Sequence, residues 1–304
     1  MSIKIYYFSG TGNSFFVAKD IAKKVKADLI SIPEVMNMDK IQIDAESIGI
    51  IFPSYLATLS GLPLIVERFV KKIANIESIH IFAVCSCGGY ECVNALPPLN
   101  KLKQIIRSCG GNLSDEYSIR LPMNNLDYDH IPIPITRDHE VIINRSKSKI
   151  DDICYRIIKK KSTKYKIAKA LFNIFMTPLY KLMRHSVINA LKEKAKEPIE
   201  TELKYFELIP LTDRSIIVDA KCNGCGICVK VCPVNNIKIV DKNPEFQHRC
   251  EMCFACDEWC PSNAIHHWSR ADGVKYHHPE VKISDMLCRS STTASTRFEW
   301  YREN

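Results

Sequence analysis

The amino-acid sequence predicts an α/β doubly wound parallel sheet, followed by a basic helical segment and a small α+β unit built on cysteines. Three observations predict it. Strand-like apolar runs alternate with helix-like stretches over the first 125 residues, the pattern of a parallel sheet covered on both faces. A strongly cationic, helix-patterned stretch follows. From about residue 212 the cysteine density rises sharply. The expected boundaries are 1–135 for the sheet domain, 136–211 for the basic connecting segment and 212–304 for the cysteine-rich domain with its C-terminal tail.

Residues 3–8 read as the first strand and run into a Gly-rich turn, after which 14–26 have helical spacing. The stretches 29–32, 48–52, 79–84 and 117–121 are short apolar runs rich in β-branched and aromatic residues, and read as further strands. Helical spacing returns at 64–73 and 92–107. Residues 138–200 read as helical and basic, interrupted at Pro178, whose ring removes a donor and crowds the preceding turn.

The composition, 46% hydrophobic and 25% charged, is that of a globular protein. Fourteen cysteines in 304 residues are too few for a small disulfide-stapled secreted domain. No run approaches the roughly 18 uncharged apolar residues that span a bilayer, and the opening run to Gly10 is too short for a secretory signal. A cytoplasmic chain with reduced thiols is expected, in which clustered cysteines bind metal.

The net charge of +8 is concentrated in one place. Residues 156–196 hold twelve Lys or Arg and one acid, Glu193, a local charge of +11 that leaves −3 for the rest of the chain. Such a stripe can serve nucleic acid, a membrane surface or a docking partner. Packing against the chain's own acidic body is the expectation, with no nucleic-acid partner and with membrane-surface contact as the lesser alternative. The apolar members Ile167, Leu171, Phe172, Phe175, Leu179, Leu182 and Met183 are at helical spacing and are expected in the core.

Ser9-Gly10-Thr11-Gly12-Asn13-Ser14 follows a strand and opens a helix. Hydroxyls, an amide and backbone N–H groups there can surround a phosphate, aided by the helix dipole. Phe15 stands where a dinucleotide fingerprint needs a third Gly or Ala, and no Gly-Lys-Ser/Thr makes a Walker loop. The loop is similar to the FMN phosphate loop of flavodoxins. In a flavodoxin-like sheet the ring meets the loops after the third and fourth strands. Here these are Pro53-Ser54-Tyr55-Leu56-Ala57-Thr58 and Cys85-Ser86-Cys87-Gly88-Gly89-Tyr90. Tyr55 and Tyr90 are the candidates for ring contact, and Gly88 and Gly89 for backbone contact with the ring's polar edge.

The most specific signal is a doubled cysteine run. Cys222, Cys225, Cys228 and Cys232, with Pro233, share their spacing with Cys250, Cys253, Cys256 and Cys260, with Pro261. Two-residue gaps let a tight turn aim three sulfurs at one cubane. Zinc ribbons instead separate paired CxxC units by a longer spacer. The spacing resembles that of bacterial two-cluster ferredoxins, in which the fourth cysteine of each run serves the other cluster. The resemblance implies one [4Fe–4S] cluster on Cys222, Cys225, Cys228 and Cys260, and another on Cys250, Cys253, Cys256 and Cys232.

Together the two ends resemble the flavodoxin–ferredoxin fusion family of anaerobic bacteria, archaea and some protists. The residues are Phe8 to Ser14 and both cysteine runs, with Asn236-Ile237 and Ala264-Ile265 after them. Leu121-Pro122-Met123-Asn124-Asn125 is similar to a Met-Pro-x-Asn-Tyr stretch of the family, differing at its first and last positions. The family implies FMN, two [4Fe–4S] clusters and electron transfer with a redox partner protein. With the cofactors bound, the body outside the basic segment carries about −9. The alternatives are an FMN-dependent reductase of a small oxidant such as a quinone or nitro compound, and a redox or iron sensor. No side chain is singled out as catalytic. Cys85, Cys87, Cys92, Cys109, Cys154 and Cys288 are expected as buried thiols, with redox sensing or a third metal as the alternative at Cys85 and Cys87. His266-His267 and His277-His278 are expected as exposed polar tail residues.

Overall fold

A computed structural model describes residues 2–123, 138–160, 166–268 and 275–287, without side chains at 166–177 and 179. Five strands, β1 (Ile3–Tyr7), β2 (Asp28–Ser31), β3 (Ser47–Pro53), β4 (His80–Cys87) and β5 (Leu113–Arg120), form one sheet in the order β2-β1-β3-β4-β5. Every pairing is parallel. This is the flavodoxin-like doubly wound order, with its switch point between β1 and β3. The central strands β3 and β4 are almost wholly buried because both faces are covered.

The covering helices are α1 (Asn13–Val25), the short α2 (Ile32–Val35), α3 (Leu64–Lys72), α4 (Glu91–Asn94), α5 (Leu96–Ser108) and α6 (His139–Lys159). Helix α6 packs on α1 and β5, so the stretch expected as a connector adds a helix to the sheet's outer layer. Phe8, Phe52, Phe69, Phe82, Ile5 and Ile21 are fully buried at the centre.

Helix α7 (Lys166–Lys194) and α8 (Tyr205–Leu211) follow. The Cys-rich unit holds α9 (Ile227–Val231), α10 (Ala255–Glu258) and two antiparallel strand pairs. The pairs are β6 (Ile217–Val218) with β9 (Ile265–His266), and β7 (Ile237–Val240) with β8 (Asn243–Phe246). Helix α11 (Ile283–Met286) closes the described chain.

Three sequence expectations are corrected. The helix at 92–107 is two helices, because Pro97 and Pro98 start a new one at Leu96. Pro178 does not interrupt α7, which runs through it. Leu182 and Met183 are exposed, Leu182 at 78%. Among the described side chains of α7, Val187, Ile188 and Leu191 face a core, packed with Leu59, Leu208 and Met252. The side chains of Ile167, Leu171, Phe172, Phe175 and Leu179, and residues Asn124, Asn125 and Cys288, lie outside what is described. The described ion pairs of the basic stretch, Arg156–Asp152 and Lys194–Glu193, are local. Among the described residues no helix is long and apolar enough to cross a membrane.

Candidate functional site

The loop between β1 and α1 sits at the carboxyl edge of the sheet. Gly12 takes φ +95° and, as the residue preceding α1, offers no side chain to cap it. No acidic residue occupies the first turn of α1, so its positive end is left for an anion. Ser9 Oγ accepts the Gly12 N–H at 3.2 Å. Ser14 Oγ lies 2.7 Å from Ser86 Oγ and ties this loop to the end of β4. Asn13 Nδ2 donates to the Pro122 carbonyl at 2.9 Å, and its Oδ1 accepts the Tyr276 hydroxyl at 2.8 Å. Thr11 is buried. This donor-rich, acid-free turn fits a phosphate.

The other two candidate loops lie beside it. The Ser54 N–H donates to the Ser86 carbonyl at 2.8 Å and the Tyr55 N–H to Gly61 at 2.8 Å. The Ser54 hydroxyl donates to the Asn94 carbonyl at 2.5 Å. Pro53 ends β3, and Leu56, at φ +47°, precedes a 3-10 turn at Ala57–Leu59. Tyr55 meets Phe8 edge-on, with ring centroids 6.3 Å apart. Burial, then Cys253, Glu251 and Cys250, push its phenol well above the usual range, which places it against the cysteine-rich unit. A Cβ on Gly88 would meet Met123, and one on Gly89 the Asn94 side chain. Tyr90 is 37% exposed. Cys85 and Cys87 are buried, and burial raises both thiols, the reverse of a reactive thiolate. Cys92 is exposed and Cys109 half-buried, against the expectation of burial, while Cys154 is buried.

The structure gathers the eight motif cysteines into two groups. Cys222, Cys225, Cys228 and Cys260 line one pocket with Ile239 and Ile265. Cys232, Cys250, Cys253 and Cys256 line another with Phe254 and His267. The two runs fold alike. Gly226 precedes α9 in the left-handed region at φ +72°, and Phe254 takes the equivalent place before α10 at φ +63°. Main-chain N–H groups point at sulfur: Asn236 to Cys232 at 3.2 Å, Met252 to Cys250 at 3.3 Å and Ala264 to Cys260 at 3.4 Å. Such bonds favour thiolate and tune cluster potential. Burial first, with neighbouring thiols adding to it, pushes Cys228 up to about 11 and Cys250 up to about 12, against main-chain hydrogen bonds that lower both. Four cysteine sulfurs line each pocket, a donor set that fits an iron–sulfur cubane.

The two cysteine pockets are placed differently. Cys225, in the first, is exposed. The second adjoins the sheet: a Cβ on Gly10 would stand 1.9 Å from the Cys253 carbonyl oxygen, so only glycine permits this approach. Trp259 Nε1 donates to the Gly10 carbonyl at 3.0 Å. Glu251, buried, accepts the Ile65 N–H at 3.0 Å at the start of α3 and pairs with Arg68. Desolvation raises its carboxyl pKa despite that arginine.

Residues 275–287 then run back over the phosphate loop. Tyr276 bonds Asn13, and the His278 N–H donates to the Thr11 carbonyl at 2.9 Å. His277 stacks on Trp259, and His267 and His278 are buried. Exposure as polar tail residues is therefore wrong for His267 and His278 and holds for His277, while His266 is half-buried and lies 3.0 Å from Asp219. Glu251, Trp259, Tyr276 and His278 carry no spacing signal in the sequence, because their partners lie far along the chain.

Residues 214–261, which contain all eight motif cysteines, match the family described as a 4Fe-4S dicluster domain. This part of the chain is an iron–sulfur segment, joined to a flavodoxin-like sheet. No curated protein is significantly similar to the chain. Among solved structures, the Fusobacterium nucleatum flavodoxin bound to flavin mononucleotide is 14% identical, with a TM-score of 0.35, over 52% of this chain and 98% of that one. Flavodoxin 1 from Bacillus cereus is 13% identical, with a TM-score of 0.31, over 50% and 98%. Flavodoxin from Megasphaera elsdenii is 22% identical, with a TM-score of 0.27, over 39% and 85%. At such scores the fold assignment rests on the strand order itself.

Proposed function

We propose that the chain is a multi-centre electron-transfer protein that carries low-potential electrons between two [4Fe–4S] clusters, FMN and a redox partner protein. Cys222, Cys225, Cys228 and Cys260 hold the outer cluster, and Cys232, Cys250, Cys253 and Cys256 the inner one. Ser9, Gly10, Thr11, Gly12, Asn13 and Ser14 hold the FMN phosphate. Pro53, Ser54, Tyr55 and Leu56 with Ser86, Cys87, Gly88, Gly89 and Tyr90 frame the ring. Bound there, the clusters supply one-electron exchange and the flavin one- or two-electron exchange.

The observation that carries this reading is the contact between the Cys253 main chain and Gly10. It supports an inner cluster beside the phosphate loop, and the exposure of Cys225 supports an outer cluster that a partner approaches. The protein's part is positioning, which is supported by the apolar core that Cys253, Ala255 and Trp259 share with the sheet residues. Working in the cytoplasm belongs to the same proposal.

Anaerobic purification with quantification of flavin, iron and sulfide tests it, followed by stepwise redox titration. The expected result is about eight iron and eight sulfide per chain, with one FMN, titrating at separable potentials. Colourless protein, or protein holding zinc, overturns the reading.

One observation favours a second reading, a reductase of a small oxidant. A pocket lined by Tyr55, Leu56, Leu59, Leu62, Tyr205 and Met252 adjoins the β3 loop. A carrier reduces a partner protein and turns over small oxidants slowly. Rapid quinone or nitro-compound turnover by the loaded chain selects the reductase.

A further inference from the structure

The phosphate loop is walled on its outer side by residues from the far end of the chain. His278 is completely buried and stacks on Phe16 of α1, with ring centroids 4.0 Å apart and planes 18° from parallel. Its Cβ stands 3.2 Å from where a Cβ on Gly12 would be, and Val281 lies equally close. The ring's Nδ1 accepts the Glu280 N–H at 3.2 Å. Burial keeps the ring neutral, lowering its pKa to about 4. A neutral ring that accepts at Nδ1 carries its proton on Nε2. That Nε2 is buried and has no hydrogen-bond partner among the described residues. The Thr11 carbonyl is already taken by the His278 main chain, and the Glu280 carboxylate is paired with Lys147 at 2.7 Å. A buried donor without an acceptor is costly, and the residue that carries it packs at its Cβ against Gly12, in the turn whose other donors suit an anion.

We propose that residues 276–281 complete the phosphate end of the flavin site, with His278 Nε2–H as an added donor to the phosphate of the bound mononucleotide. Tyr276 acts one step removed, as a positioning residue that holds Asn13 through its hydroxyl. The inference rests on the reading of residues 9–14 as a phosphate loop. It makes the flavin site composite, since the segment that closes it follows the dicluster segment in the chain.

The test is anaerobic calorimetric titration of the full-length, cluster-loaded, flavin-stripped chain with FMN and, in parallel, with riboflavin. His278→Phe keeps the stacked ring and deletes the donor. It is expected to weaken FMN about tenfold, the worth of one hydrogen bond to a charged group, and to leave riboflavin within about twofold. His278→Gln, which restores a donor, should lie nearer the unmodified chain; it carries the test if the Phe variant loses cluster absorption. Equal weakening of FMN and riboflavin, or no weakening of either, overturns the role of His278 while leaving the flavin site intact. Failure of the unmodified chain to bind FMN overturns the flavin reading and this inference with it.

Discussion

At the scale of single residues, burial decides roles that residue type leaves open. His277-His278 reads in the sequence as polar tail, yet His278 is sealed between α1 and the chain that follows the dicluster segment. Its ordinary pKa of 6.5 falls to about 4 in the fold, through desolvation first, with Lys147 and His277 lowering it further and Glu280 opposing. The sign follows directly. Below its ordinary value the unfolded chain takes up a proton that the fold refuses, so the stability from neutral His278 is present above that value and drains away as pH falls toward the folded one. Between about pH 7.5 and pH 5.5 this amounts to about 1 kcal/mol. Denaturant midpoints measured at the two pH values should fall further for the unmodified chain than for His278→Phe. Parallel falls would refute it. The cysteine runs are the opposite case: their roles are legible because a cluster demands fixed spacing along the chain, whereas a buried histidine's surroundings come from distant segments.

At the scale of elements, the sequence locates segments whose pattern is local and misplaces those whose ends depend on other segments. The polar stretch Ser114-Asp115-Glu116 hides the first half of β5, an edge strand in which only alternate side chains are buried. Helix α3 starts after Pro63, which has no side-chain acceptor to offer, and its first turn is satisfied by Glu251 from the dicluster segment. Glu251→Ala removes that acceptor and should cost about 1–3 kcal/mol. Arg68→Ala should cost less, because Arg68 is half-exposed and water screens its pair. Equal losses in the denaturation midpoint would place the energy in the ion pair instead of the helix start. Along α7 the split between faces is equally testable. Leu191→Ala, in the core shared with Leu59, Leu208 and Met252, should cost about 2–4 kcal/mol. Leu182→Ser, on the exposed side, should stay within about 0.5 kcal/mol. A large loss for Leu182→Ser by thermal or denaturant melting would mean that α7 packs differently.

At the scale of the whole molecule, two recognisable units share one interior. Cys253, Ala255, Trp259, Val281 and Met286 belong to the same apolar core as the sheet residues Phe8, Ile50 and Phe82. Motifs name the units but cannot show this, since neither a phosphate loop nor a cysteine run encodes what packs beside it. A shared core makes the chain a single cooperative body. Bleaching of cluster absorption and loss of far-ultraviolet circular dichroism should therefore coincide in denaturant for the unmodified chain. Gly10→Ala, made in the flavin-free chain because Gly10 also belongs to the phosphate loop, attacks the junction. Its new Cβ meets the Cys253 carbonyl oxygen at 1.9 Å, well inside the 3.4 Å at which ordinary contact begins, and main chain on both sides leaves no flexible end to yield. The dicluster segment must then move off the sheet, taking the Trp259 bond to Gly10 with it. The variant's two transitions should separate, with cluster loss at lower denaturant than loss of the sheet. Coincident transitions in Gly10→Ala would show that the units hold together by other contacts. Separated transitions in the unmodified chain would show that they never formed one body, and the adjacency on which the electron-transfer reading depends would fall.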